Sequence, residues 1–137
     1  MIKLNVTFKN LLVILGWGVV IASIVLQRLY QEPLLLLQDY LLIFAISVLA
    51  TMITVDARIV ILGWIGSTLI SILIMFICLT LPGAVDEVAS YFVLEFLYAG
   101  AIVMIFRSVF PVAIITTFIG AVVGGAIGER LQQGEIA

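Results

Sequence analysis

The sequence predicts an all-α integral membrane protein, one transmembrane domain of about five helices (four being the other count) with no soluble domain. Composition is the first observation behind this. Apolar residues make up 65% of the 137 and charged residues 10%, whereas a soluble domain of ordinary composition is roughly half apolar and a quarter charged. Mean hydropathy is +1.40. The apolar residues also gather into stretches of about 20, the length that crosses the hydrocarbon core. Too few charges remain to coat a water-facing surface, so the lipid bilayer is the expected solvent for much of the chain.

The first span runs from about Leu11 to Leu29, after Lys9 and Asn10 and up to Arg28. No small-x-small cleavage site follows it, so it reads as retained rather than as a signal peptide. The second begins at Pro33, well placed for a first helical turn, and reaches about Val55. The third covers Ile59 to Leu81 and is expected to stop at Pro82 and Gly83. The fourth covers Val88 to Phe106. The fifth begins near Pro111 and frays at about Gly128, Glu129 and Arg130. Only a few residues around Arg107 and Ser108 separate the last two, which keeps four spans open beside five.

Basic residues favour the cytoplasmic side. With the N-terminus inside, Lys3, Lys9, Arg58 and Arg107 fall inside, and Arg28 and Arg130 fall outside. The expectation is a multi-pass protein of the cell membrane, N-terminus in and C-terminus out.

Several chemistries are excluded at this level. The chain has no histidine, which removes bis-histidine haem ligation, the usual zinc sites and histidine-based proton relays. Its single cysteine, Cys78, cannot form an internal disulfide. No basic stripe interleaved with aromatics exists, so nucleic acid is not an expected partner. Serines and threonines lack a partnering base, the glycines form no phosphate loop after a strand, and the acids are too few for a hard-cation cage. No catalytic residues, metal site or cofactor are expected, and the chain does not read as an enzyme by itself.

The pentapeptide Val13-Ile14-Leu15-Gly16-Trp17 recurs as Val60-Ile61-Leu62-Gly63-Trp64. Both copies open an outward span, each followed by a return span with Tyr40 or Tyr91 in its outer part. A parallel repeat of two hairpins would produce this, and so would coincidence in an Ile/Val/Leu-rich chain. Trp17 and Trp64 fit aromatic-belt anchoring.

Gly120, Gly124 and Gly128, at four-residue intervals in the fifth span, flatten one helix face for close approach of another backbone. That neighbour is either a helix of this chain or a seam to another membrane subunit or a second copy. Gly63, Ser67 and Ser71 repeat the pattern more mildly in the third span. In the second, Tyr40, Ser47, Thr51 and Thr54 form a polar stripe. Such hydroxyls ordinarily bond the preceding turn's carbonyls or a neighbouring helix; a hydrated path is the other reading.

Glu95 stands out among the charges. It lies well inside the fourth span, about 10 Å below its start at 1.5 Å per residue, where a carboxyl must be neutral, paired or wetted. Tyr91 and Tyr98, at i−4 and i+3, share its face. Asp39 comes out at similar depth in the second span, and Arg28 is the base near that level. Two arrangements follow: a carboxyl pair exchanging protons or cations, or a structural Arg28–Asp39 pair beside a protonated Glu95.

The stretch Leu94-Glu95-Phe96-Leu97-Tyr98-Ala99-Gly100-Ala101-Ile102, with Phe106 after it, resembles the signature span of the J-type membrane subunit of respiratory complex I and of related membrane-bound hydrogenases and antiporters. The resemblance implies a span that joins a proton path, carries an acid before a Tyr-x-Gly-Ala-Ile run and can hold a π-bulge. Here Glu95 sits one residue closer to the tyrosine, and the span ends abruptly at Arg107 to Pro111. The functional expectation is a non-catalytic subunit of a larger membrane complex, redox-linked or ion-translocating. Its alternative is a self-sufficient homo-oligomeric channel or transporter for a proton or small cation.

Overall fold

A computed structural model describes residues 2–31, 35–54, 56–85, 91–110 and 112–136. All regular structure among them is helical: α1 Ile2–Gln31, α2 Leu37–Thr54, α3 Ala57–Val85, α4 Tyr91–Val109 and α5 Val112–Ile136. The expected boundaries at Pro33, Val55, Val88 and Pro111 lie outside the described residues. α1, α2, α3 and α5 are long and apolar enough to cross a membrane. Three helices outrun their expected ends. α1 starts at Ile2 because no helix breaker precedes Gly16. α3 continues past Pro82 and Gly83, and α5 continues through Glu129, Arg130 and Gln132, all good helix formers in its solvated last turns.

Close approaches set each helix direction. Ile14 rests on Gly63, whose Cβ, were there one, would lie 3.2 Å from it; one turn later Gly18 meets Ser67 and Ile70, and Ser71 Oγ donates to the Gly18 carbonyl at 2.7 Å. Contacts that climb both helices together make α1 and α3 parallel. Arg28 meets Asp39, and Trp17 meets Ser47, so α2 returns antiparallel to α1. The glycine row of α5 lies on α2: Gly120 against Phe44 and Ser47, Gly124 against Val48 and Thr51, Gly128 against Met52. α5 therefore runs parallel to α2. It is antiparallel to α3, where Gly125 faces Val60 and Trp64 reaches Thr117.

The same argument applied to α4 changes the expected topology. Tyr98 stacks on Phe76 with ring centroids 6.0 Å apart, and Ile102, Ile105 and Phe106 share a groove with Leu69, Ile72 and Leu73. α4 thus descends along α3, in the direction α5 also takes. No α4–α5 hairpin forms. α4 ends and α5 begins at one level, where Val109 and Ala113 line a small cleft with Thr68 and Ser71. The start of α1 and the end of α5 accordingly lie at the end of the bundle that holds the α2–α3 turn, where Thr54, Asp56, Glu129 and Gln132 share a cleft. We call this the near end. The expected outward course of the fifth span, carrying Arg130 to the opposite side from Arg58, is corrected by these contacts.

The interior is built on small and hydroxylated residues rather than on large aliphatics alone. Ala22, Val25, Ile43, Ser47, Thr51 and Met75 are almost wholly buried. Without a hydrophobic force between helices in lipid, contact distance and hydrogen bonds decide the packing. Glycine and serine shorten the distance, and apart from Ser71, which bonds across to α1, the hydroxyls of this interior donate to carbonyls of their own helices. Ser47 donates to Ile43 O at 2.8 Å, Thr51 to Ser47 O at 2.8 Å and Thr54 to Ala50 O at 3.0 Å.

Candidate functional site

The two acids that the sequence placed at one depth stand level but on different helices, Asp39 on α2 and Glu95 on α4. Asp39, 6% exposed, sits between α1 and α2. Arg28 Nε donates to its Oδ2 at 2.8 Å and Nη2 to its Oδ1 at 3.3 Å, a forked, charge-assisted pair. The Leu36 amide also donates to Asp39 Oδ2 at 2.8 Å. Leu36 is the N-cap residue of α2, and Asp39 reaches back to it as the third residue of a capping box does. A carboxylate in the first turn also complements the helix dipole. One side chain therefore closes a helix start and ties two helices together. Of the two arrangements open from sequence, the Arg28–Asp39 pair forms and the carboxyl pair does not.

Glu95 lies on the outward face of α4 and is exposed. Among the described residues no hydrogen bond or ion pair reaches it. One turn below, Tyr98 lies against Phe76 of α3. Tyr91 opens α4, but its side chain lies outside the described residues. Glu95 is level with the Arg28–Asp39 pair: Tyr98 marks the height of Phe76 on α3, and Arg28 stands about 15 Å above Gly18 at 1.5 Å per residue. Glu95 stands at the height of that pair, as the sequence placed it, but on the outer side of the bundle. α4 is α-helical over its described length, so the π-bulge implied by the resemblance is not formed there.

The remaining candidates are packing residues. Gly63, Ser67 and Ser71 face α1, and Gly120, Gly124 and Gly128 face α2. The neighbour of the second row is thus a helix of this chain, α2. Trp17 is 4% exposed and its indole N–H donates to Ser47 Oγ at 3.1 Å, while the Trp64 indole donates to Thr117 Oγ1 at 3.0 Å. Trp17 is buried and Trp64 half-buried, and each indole N–H finds its acceptor on another helix of the chain. Trp17 reaches the return helix α2, whereas Trp64 reaches α5 and not α4. The echoed pentapeptides thus serve like roles without repeating a hairpin.

Sequence reasoning missed Arg107, which it assigned to a loop at the cytoplasmic face. It lies in the last turn of α4, between Phe106, in the groove with Leu69 and Leu73, and Val109, beside Thr68 and Ser71. Those α3 residues stand about 18 Å from Arg58 and, through Ser71 and Gly18, about 15 Å from Arg28, at 1.5 Å per residue. Arg107 is thus half-way between the two charged ends. It is exposed, and among the described residues no hydrogen bond or ion pair reaches it. The short Arg107–Pro111 connection was the available signal.

Compared with models of known families, with curated proteins and with solved structures, the chain matches none.

Proposed function

We propose that this chain is a non-catalytic subunit of a larger assembly in the cell membrane, crossing the bilayer four times with both ends cytoplasmic. The observation that carries the reading is a closed interior beneath an unsatisfied exterior. Every described buried side-chain nitrogen or oxygen has a hydrogen-bond partner, and the central cleft lined by Ile21, Val25 and Thr68 holds about 20 Å³. That is room for about one water, not for a conducting file. The exterior carries the charge that wants company, Arg107 at mid-height.

The four crossings are α1, α2, α3 and a last one that α4 begins and α5 completes. α2 alone, with 18 residues, spans about 27 Å, close to the roughly 30 Å of a hydrocarbon core. Lys3, Lys9, Arg58 and Arg130 gather towards the near end by chain position, while Arg28 at the far end is paired with Asp39. The positive-inside rule then places the near end in the cytoplasm.

Native mass measurement after extraction from the source membrane in mild detergent tests the subunit reading. The expected result is a species containing a second polypeptide in fixed ratio. Species that are only whole multiples of 14.9 kDa, together with cation flux in liposomes holding this chain alone, would establish the homo-oligomeric channel instead.

A further inference from the structure

We infer that the outward face of α4 around Arg107 is the docking surface for a transmembrane helix of a different polypeptide, one that carries an aspartate or glutamate near its middle. The inference rests on the subunit reading above and names the partner's chemistry.

A charged side chain at mid-bilayer is among the costliest placements a helix tolerates, and an arginine escapes by snorkelling only where the membrane surface lies within its reach. Arg107 stands about 15–18 Å from both charged belts, and it points out of the bundle. Its position in the last turn of α4 lets the helix carbonyls offset part of the charge, but a half-charge dipole end does not complete a guanidinium with five donors. Beside it Phe106 and Phe110 stack at 5.1 Å between ring centroids, exposed by 64% and 51%. An arginine flanked by exposed aromatics is the composition that anchors protein interfaces. One turn and two turns higher, Val103 and Gly100 leave the face low, with nothing within 4 Å of where a Gly100 Cβ would stand.

Charge complementarity selects the occupant. A guanidinium in a low-dielectric layer is matched by a carboxylate, held in a forked pair. A second copy of this chain cannot supply one. Asp39 and Glu95 lie at the far end, Asp56 and Glu129 at the near end. Glu32, Asp86 and Glu87 fall between helices in the sequence, and Glu135 falls in the last turn of α5. Turning a copy over exchanges the ends and leaves the middle as it was. The acid therefore comes from another chain.

The test uses the full chain in phosphatidylcholine vesicles with model Leu/Ala transmembrane peptides bearing a central Asp, Asn or Leu, and reads capture by energy transfer from a donor dye on the protein to an acceptor on the peptide. The expected result is capture of the Asp peptide on the order of tenfold tighter than the Leu peptide, because the partner avoids an unpaired charge in the layer. Arg107→Leu abolishes the preference, Arg107→Lys keeps part of it, and Arg58→Leu keeps all of it. Since Arg107 is exposed, these variants leave the bundle's packing intact, and tryptophan emission from Trp17 and Trp64 checks this. Equal capture of Asp and Leu peptides, or a preference that survives Arg107→Leu, overturns the inference. Self-association of the peptide-free protein that Arg107→Leu removes also overturns it, assigning the face to a second copy. A hetero-assembly from native membranes that persists in Arg107→Leu rejects this face while sparing the subunit reading; homomers alone reject the subunit reading itself.

Discussion

Replacing Gly124 by alanine asks how much of the fold depends on one missing methyl. A Cβ at Gly124 would collide with Thr51 Oγ1 and the Val48 carbonyl oxygen and stand 2.8 Å from Val48 Cα. Two of those atoms are backbone, and Thr51 is wholly buried with its hydroxyl bonded to Ser47 O. No flexible end can yield, so α5 must lift off α2. A gap of about 0.5–1 Å forfeits a quarter to a half of each dispersion contact along the seam, and overpacking of this kind costs about 1–3 kcal/mol. Alanine returns about 0.5–1 kcal/mol in helix propensity. The expected net loss is about 1–2 kcal/mol, a factor of roughly 5–30 in the folding equilibrium. Gly100→Ala is the matched control, since nothing lies within 4 Å of its Cβ position, and propensity alone leaves it unchanged or slightly more stable. Reversible SDS unfolding in mixed micelles, followed by emission of the two tryptophans, reads both. If Gly124→Ala unfolds with wild type, or the two variants fall together, the α2–α5 seam is not where the contacts place it.

Three further outcomes follow. In a Cys78→Ala background, cysteines at Ala57 and Gly134 should both be protected from an impermeant thiol reagent that labels Gln31→Cys; a labelled Gly134→Cys would restore the five-crossing course. Asp39→Ala should destabilise more than Arg28→Ala, because Asp39 also accepts from Leu36 N–H; a double-mutant cycle should give a coupling of about 1–2 kcal/mol, and additivity would show the pair inert. Glu95→Gln, at an exposed position in the far belt, should change stability by no more than about 0.5 kcal/mol and leave assembly intact. Loss of a reconstituted ion flux in that variant would return Glu95 to an ion path.

The helices were legible because each carries its own apolar run, and so was the glycine face, because a spacing of four is a property of one helix. Which helix meets that face was not legible: the Ser47 and Thr51 hydroxyls of α2 marked the surface it uses, but hydroxyls that bond their own helix's carbonyls name no partner, and Phe44, Val48 and Met52 announce themselves only through the fit. The direction of α5 was hidden by the junction at Phe110 and Pro111, where a short polar break followed by proline reads the same whether the chain turns back or steps sideways. That error moved Arg107 from mid-height to a loop, and Arg130 to the wrong end. The Arg28–Asp39 pair was one of two arrangements the spacing allowed. The indole partners of Trp17 and Trp64 were not legible, because Ser47 and Thr117 lie on other helices, far along the chain.

The seating of α5 between α2 and α3 has a consequence for biogenesis. The ribosome delivers α2 long before the helix that covers it, and the Trp64 donor waits for an acceptor 53 residues further along. Before α5 is made, Trp17 of α1 already bonds Ser47, but Val48 and Thr51 of α2 have no cover from the glycine row, and α4 has only the flank of α3 to lean on. The seam therefore closes only when the last helix has been made, and a chain ending before Val112 would lack every contact that Gly120, Gly124 and Gly128 make with α2.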